Sequence, residues 1–189
     1  MITKYSRFII LFLLLFLHGC ASIRVSQDYS AERDYTVLTT YAWQAEDQEK
    51  TGDLRLDNPF RDTRIRSAVD KFLLEKGYQE ALDAQPDFYV AYQQKIYNRI
   101  DADNGGSGFV FGMGSFGTHG GIGFSTGNRV SNYDESMLVI DIIDSGSNDL
   151  IWRGTGTRIF VLHADPEKIT KRIDATVQKI LTQFPPQEK

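Results

Sequence analysis

Cysteine and histidine are both scarce in this chain of 189 residues, which contains one cysteine, Cys20, and three histidines. Because Cys20 ends an export signal, where it is expected to be lipidated, no thiol remains for a disulfide, a Cys-ligated zinc site or a cysteine nucleophile. The histidines lack the H-E-x-x-H spacing that places two imidazoles on one helical face. We therefore expect no metal ion, no cofactor and no zinc enzyme, and we assign no catalytic residue.

Long apolar runs are also absent, apart from ten residues at positions 8–17. That run is shorter than the roughly 17–25 residues that span a bilayer. It follows a positive segment containing Lys4 and Arg7, as in a secretory signal. The run ends in L-H-G-C at Cys20, which resembles a bacterial lipobox with histidine where a smaller residue is usual. The sequence predicts a lipoprotein signal peptide at residues 1–19 and lipidation of the cysteine; the alternative is an ordinary signal peptide with an incidental cysteine.

The predicted anchor places the mature chain in the bacterial cell envelope. Two or three acyl chains on Cys20, at about 0.8 kcal/mol per buried methylene, attach a protein durably to a membrane. Ala21 and Ser22 follow without an aspartate, which resembles the pattern for sorting to the outer membrane, and we expect its periplasmic face. Cleavage of the signal peptide would remove Lys4 and Arg7 from the 21 basic residues. The mature chain would then have 19 basic and 25 acidic residues, a formal charge of −6. This charge argues against nucleic-acid binding.

Residues 20–189 have the length of a single domain. Strands are predicted where β-branched and aromatic residues cluster, and a polar turn joins the first two. These segments are residues 23–29, 35–43, 88–96, 136–144 and 150–160. One helix is capped by Asp57 or Asn58 and ends at Gly77, and a second begins at Asp165. We expect an α+β domain with a mostly antiparallel sheet of about six strands and two amphipathic helices packed on one face.

Glycine is concentrated in residues 104–127, which hold ten of the sixteen glycines among scattered phenylalanines. Such density opposes regular packing. The sequence therefore predicts a flexible insertion within a β-hairpin, either disordered or an adaptable apolar surface for a partner or the bilayer. Residues 112–117 match G-x-G-x-x-G, but no helix follows to cradle a pyrophosphate. Residues 101–105 resemble the start of a calcium loop, but glycine stands at its twelfth position, and a polar turn is the simpler interpretation.

Six short motifs occur in an order and spacing that resemble a known family. They are T-T-Y-A-W at 39–43, G-Y at 77–78, P-D-F-Y-V at 86–90, L-V-I-D at 138–141, L-I-W-R-G at 150–154 and F-P-P at 184–186. Over nearly all of its mature length the chain resembles the bacterial lipoproteins that contain domain of unknown function 4136 (DUF4136). The resemblance implies no activity, ligand or catalytic residue.

The conspicuous residues of these motifs have structural interpretations. They are Trp43, Asp141, Trp152, Arg153, Gly154 and Gly156. The tryptophans suit aromatic pairs between strands, and the two glycines allow another backbone or an aromatic ring to approach. The aspartate and the arginine are placed to pair across a hairpin; otherwise the aspartate, like Asp144, faces solvent or lies at the hairpin end. We predict structural roles for all six residues.

These observations favour a non-enzymatic lipoprotein of the cell envelope, held at the membrane by acylated Cys20 and acting as an interaction or assembly module for an envelope protein. An alternative class is a periplasmic hydrolase of lipid or cell-wall material. Its triad would have to combine Ser115 with His119 or His163 and an acid. A third is an accessory lipoprotein of an envelope transport complex.

Overall fold

The computed structural model describes residues 23–45, 50–102 and 130–187. Its elements in chain order are β1 (Arg24–Tyr29), β2 (Thr40–Trp43), α1 (Pro59–Glu75), β3 (Gln79–Glu80), β4 (Phe88–Ala102), β5 (Val130–Asp144), β6 (Leu150–Ile159) and α2 (Pro166–Leu181). Within these three ranges, neither helix has the length and hydropathy needed to cross a bilayer.

The six strands form one sheet in the order β1-β6-β5-β4-β2-β3. Neighbouring strands are antiparallel, except that β2 runs parallel to both β3 and β4. Helix α1 supplies the crossover that a parallel neighbour requires. Val69 of α1 and Val177 of α2 join one core with Ile140 of β5, so both helices cover the same face of the sheet. The predicted α+β class, strand number and mostly antiparallel pairing are confirmed.

Both helices begin at the predicted caps. The side chain of Asn58 accepts a hydrogen bond from the backbone N–H of Phe60 at 2.9 Å. The side chain of Asp165 accepts one from Lys168 N at 2.8 Å. Gly77, with φ of +94°, follows α1 in the left-handed region that favours glycine. The buried side of α1 consists of Ile65, Ala68, Val69, Phe72 and Leu73, and that of α2 of Ile173, Thr176, Val177, Ile180 and Leu181.

An aromatic cluster fills the space between the helices and the sheet. Phe184, which follows α2, lies at its centre with a ring centroid 5.2 Å from that of Trp152. The ring centroids of Tyr78 and Phe88 are 5.7 Å and 5.9 Å from that of Phe184. Because such pairs add roughly 0.5–1.5 kcal/mol beyond area burial, this cluster ties the end of the chain to the centre of the sheet.

The segment predicted as the second strand, residues 35–43, differs from that prediction. Only Thr40–Trp43 is a strand, and it pairs with β4 on the far side of the sheet from β1. Local polar contacts hold the preceding residues in a turn: Asp34 Oδ1 accepts from Thr36 N at 2.8 Å. The hydroxyl of Tyr35 donates to the carbonyl of Ile151 in β6. These contacts replace strand pairing before Thr40.

Strands β4 and β5 are each 15 residues long, which exceeds the predicted length. Their pairing runs from Phe88 opposite Asp144 to Ala102 opposite Val130. The predicted glycine-rich insertion at residues 104–127 therefore connects two paired strands, but it lies outside the described residues. Asp101 and Ala102 continue β4, so the polar turn predicted for residues 101–105 does not begin there.

Asp87 joins β2 to the start of β4 through one carboxylate oxygen. Its Oδ2 accepts hydrogen bonds from the backbone N and Oγ1 of Thr39 and of Thr40, at 2.8–3.0 Å. These bonds, led by that from Thr39 N, lower the pKa of Asp87 from 3.8 to about 2. Because the folded-state pKa is depressed, the stabilisation is present above about pH 4 and is lost as pH falls towards 2.

Replacing Asp87 with alanine is expected to lower the free energy of unfolding at pH 7 by about 1–2 kcal/mol. This is less than four hydrogen bonds to a charged group would suggest, because the carboxylate is partly exposed to solvent. Urea unfolding at pH 7 and at pH 2.5 measures the effect, and the difference from wild type should shrink at the lower pH. The exposed Asp83 provides the control variant Asp83→Ala. A difference that is the same at both pH values contradicts the assignment.

Candidate functional site

A cavity of about 50 Å³ lies between the two helices, the middle of β5 and the end of β6. Ile65 of α1 and Ile173 of α2 contribute to its apolar wall. Three arginines also line it: Arg61 from the first turn of α1, Arg158 from the end of β6, and Arg172 from the second turn of α2. We call this site, defined by the three arginines, the arginine cavity.

The local sequence explains why these arginines converge. Arg61 precedes buried Ile65 by four residues, so both lie on the same face of α1. Alternate residues of a strand face the same side, and Arg158 therefore shares the helix-facing side of β6 with Trp152 and Gly156. Arg172 lies next to the buried stripe of α2. The hydrophobic pattern that packs the helices on the sheet thus also carries the arginines to one place.

Within the described ranges, the hydrogen bonds of the three arginines end on neutral acceptors. Arg158 Nη1 donates to the carbonyl of Arg172 at 2.7 Å and to a threonine hydroxyl of α2 at 3.2 Å. Arg172 Nη2 donates to the carbonyl of Ile159. Arg61 Nε donates to Gln94 Oε1. These acceptors orient the guanidinium groups without cancelling their charge.

A fourth arginine, Arg64, is one turn along α1 from Arg61 and donates to Thr170 Oγ1 of α2 at 3.0 Å. Ten arginines are described, and six of them form ion pairs with carboxylates. These six are Arg24, Arg33, Arg55, Arg66, Arg99 and Arg153. The other four have no carboxylate partner in the described part of the chain, and all four lie at or beside the arginine cavity. Positive charge is therefore concentrated at one place on an acidic chain.

Burial makes these charges costly. It lowers the pKa of Arg61, Arg158 and Arg172, and neighbouring positive charge adds to the effect at Arg61 and Arg158. All three remain protonated at neutral pH, because arginine stays charged throughout that range. The buried Arg158 Nε makes no hydrogen bond with the described residues. Buried donors normally have acceptors, so the site is suited to an anion.

A buried carboxylate at the same end of the sheet already has partners. Glu135 in β5 is 2% exposed and lies on the face opposite the helices. Its Oε1 contacts Arg24 Nη2, and its Oε2 is 3.1 Å from Arg99 Nε. Burial, followed by a hydrogen bond with this carboxylate, raises the pKa of Tyr97. Glu135 is thus bound to its own cations rather than to those of the arginine cavity.

Asp141 and Arg153 form the predicted pair across the β5–β6 hairpin. Arg153 Nε and Nη2 donate to the two carboxylate oxygens of Asp141, both at 2.7 Å. Asp141 is 5% exposed, so it is buried rather than solvent-facing. Asp144 does lie at the hairpin end, where its Oδ1 accepts from the backbone N–H groups of Gly146 and Ser147. Both aspartates therefore make structural contacts.

Both tryptophans are also held by structural contacts. Trp152 is 0% exposed, and its Nε1 donates to Gln27 Oε1 at 2.9 Å. Trp43 Nε1 donates to Asp70 Oδ1 at 3.0 Å, and the guanidinium of Arg66 lies 4.5 Å from its ring centroid. These contacts agree with the structural roles predicted for the W-containing motifs.

The remaining candidates are dispersed or lie outside the described residues. His163 is exposed, and its ring makes no hydrogen bond to another described residue. Residues 23–45, 50–102 and 130–187 hold no group of three metal-binding side chains. Cys20, Ser115, His119 and residues 112–117 lie outside those ranges, so lipidation and the hydrolase alternative stay predictions.

The arginine cavity is absent from the predictions made from sequence. One signal was available: Arg158 alternates with Gly154 and Gly156 on the inward side of a strand, and a charge there needs a partner or a function. Arg61 and Arg64 are likewise three residues apart, hence neighbours on one helix surface. Only the packing of the two helices brings these arginines together.

Comparison with known proteins gives a family match and distant structural similarities. The profile described as domain of unknown function (DUF4136) matches residues 25–186. A search of curated protein sequences finds no match. A PDZ domain protein from Parabacteroides distasonis is similar, with a TM-score of 0.47 and 14% identity over 95% of this chain, which spans 40% of that protein. A PelC dodecamer from Paraburkholderia phytofirmans gives a TM-score of 0.43 and 11% identity, covering 88% of this chain and 100% of PelC.

Proposed function

We propose that this chain, which belongs to the DUF4136 family of domains of unknown function, is a non-enzymatic binding module of the cell envelope. In this proposal acylated Cys20 holds it at the periplasmic face of the outer membrane. The observation that supports the proposal is the arginine cavity, a cationic site where the end of β6 pairs with the start of β1, the strand that follows Cys20. A charged, partly buried cavity with neutral hydrogen-bond partners is suited to binding.

The short connection between Cys20 and the first strand limits how far the domain lies from its anchor. Cys20 precedes Arg24, the first residue of β1, by four positions. Four residues span at most about 14 Å. In the sheet Arg24 is opposite Thr157, next to Arg158 of the arginine cavity. An acylated Cys20 therefore keeps this end of the sheet close to the bilayer.

Exposed apolar side chains at the same end agree with that orientation. Ile159 is 56% exposed, Val161 38% and Leu162 57%. We call these three residues the apolar rim, because two of them, Ile159 and Val161, also line the arginine cavity. Grouped exposed apolar residues are typical of interaction surfaces. Their position supports contact with a membrane or with a partner at the membrane.

Cys20→Ser is expected to release the protein from the membrane fraction without unfolding it. The reason is that the hydroxyl cannot be converted to the thioether that carries diacylglycerol, whereas the hydrophobic core is built from residues between Leu38 and Phe184. Fractionation of the envelope measures release, and mass spectrometry of the wild-type N-terminus should find a diacylglyceryl cysteine at position 20.

Ser26→Ala, an exposed position in β1, is the matched control and should stay in the membrane fraction. An unmodified Cys20 thiol in the mature wild-type protein overturns the prediction of a lipid anchor.

The assembly role is tested by crosslinking and pull-down of the acylated protein from its own envelope. A reproducible envelope partner recovered with the acylated protein supports that role, and the absence of any reproducible partner contradicts it.

A further inference from the structure

We infer that the arginine cavity binds the phosphate group of an anionic membrane lipid. The inference deepens the proposed function and rests on its placement of this end of the domain at a membrane. Its structural basis is independent of that placement. Three arginines without described carboxylate partners line one cavity, a fourth, Arg64, lies one turn away on α1, and one buried donor, Arg158 Nε, has no acceptor among the described residues.

The chemistry of the cavity matches a phosphate. Guanidinium groups present N–H donors in a planar fork that binds phosphate oxygens in pairs. The cavity volume of about 50 Å³ holds about four water-sized groups at roughly 10–15 Å³ each. That is the size of one phosphoryl group with its oxygens. Arg61, Arg158 and Arg172 approach it from three different elements, so they surround a bound anion rather than contact it from one side.

The energetics favour an anion over an empty cavity. Charges removed from water are costly unless they are compensated. Because neutral carbonyl, hydroxyl and amide oxygens are the described acceptors of these arginines, the compensation is incomplete in the described structure. A bound phosphate supplies the negative charge, and it also supplies an acceptor for Arg158 Nε.

The surroundings of the cavity favour a lipid over a phosphate free in solution. Ile159 and Val161 of the apolar rim line the cavity, as expected where a headgroup meets acyl chains. Tethering through Cys20 also presents the membrane surface to the cavity at high effective concentration. A mature chain with a formal charge of −6 is repelled by an anionic surface as a whole, so binding must come from a local site.

Vesicle flotation tests the inference with the full mature chain carrying Cys20→Ser, so that the anchor makes no contribution. The probes are vesicles of phosphatidylcholine alone and vesicles containing 30% phosphatidylglycerol. We expect at least tenfold tighter binding to the phosphatidylglycerol vesicles. Arg158→Gln and Arg61→Gln should each remove most of that preference, and Val161→Asp should weaken binding through the rim.

Lys71→Gln is the matched control, because it removes one positive charge from a side chain of α1 that is 76% exposed. It should bind like the parent protein, and thermal unfolding verifies that every variant is folded. Should Arg158→Gln fail to fold, Arg61→Gln decides the question, since its described hydrogen bonding is limited to one bond with Gln94.

Two outcomes overturn the inference. Equal binding by Arg61→Gln and the parent protein excludes the cavity as the lipid site. Stabilisation by millimolar inorganic phosphate without any preference for phosphatidylglycerol vesicles assigns the cavity to a free anion. Failure of the anchor is a separate result, since it appears as an unmodified Cys20 in mass spectrometry and leaves the flotation of the Cys20→Ser protein unchanged.

Discussion

Trp152→Ala is expected to lower the free energy of unfolding by about 3–5 kcal/mol, the range for removal of a buried tryptophan or phenylalanine. The indole is fully buried on the helix-facing side of β6. It packs on Phe184, with ring centroids 5.2 Å apart, and its N–H donates to Gln27. Truncation therefore removes apolar contacts, an aromatic pair and one hydrogen bond, and it leaves a cavity between α2 and the sheet.

Urea denaturation followed by circular dichroism measures this loss. Trp152→Phe is the matched variant, because it keeps an aromatic ring against Phe184 while removing the indole N–H. Its expected cost is about 1–2 kcal/mol, which includes the acceptor left without its donor. A loss below about 1 kcal/mol for Trp152→Ala would show that the indole contributes little to the core. If the same variant also abolished a binding activity, Trp152 would belong to a site.

The helices were predictable from the sequence because their signals are local. Asn58 followed by Pro59, and Asp165 followed by Pro166, cap and start the two helices within a few residues. The apolar spacing then identified the buried side of α1, from Ile65 to Leu73, without knowledge of the sheet. The same reasoning placed the β5–β6 hairpin, since its strands and turn are adjacent in the chain.

Strand order and strand length were less predictable because they depend on distant residues. β1 and β2 are neighbours in sequence, yet three strands, β6, β5 and β4, lie between them in the sheet, since β1 pairs with β6 and β2 pairs with β4. The contact from Tyr35 to Ile151, 116 residues apart in sequence, helps fix that separation. Such a contact leaves no periodic signal.

The arginine cavity, like the strand order, could not be predicted from the sequence, because it depends on residues that are distant in the chain. Apart from Arg158, these arginines have the sequence context of ordinary surface residues, because Arg61 and Arg64 lie in a polar helix start and Arg172 lies beside a lysine. What distinguishes them is the absence of described carboxylate partners after folding, a property of the whole charge arrangement. A sequence pattern identifies charges, but only the tertiary structure assigns their partners.

Gly154→Ala is expected to be the second most destabilising change, at the upper end of the about 1–3 kcal/mol typical of overpacking. A Cβ at this position would lie 2.3 Å from Trp152 Cη2 and 2.5 Å from Ile180 Cγ2. Both neighbours are completely buried, so neither moves without disturbing the core. The predicted close approach of an aromatic ring to this glycine is thereby confirmed. Gly156 extends the same surface, where Ile180 of α2 would be 2.8 Å from an added Cβ.

A double-mutant cycle separates this steric effect from an effect on the backbone. If the indole causes the clash, Gly154→Ala should cost less in the Trp152→Ala background, with a coupling of about 1–2 kcal/mol. The cost should not vanish, because Ile180 still opposes the new methyl group. Gly146→Ala, in the exposed turn between β5 and β6, is the milder comparison, because its Cβ would meet Asp144 Oδ1 at 3.3 Å rather than buried core atoms, and it should cost less than about 1 kcal/mol. An equal cost of Gly154→Ala in both backgrounds contradicts a steric role for the indole and leaves Ile180 and the conformation of β6 as the causes.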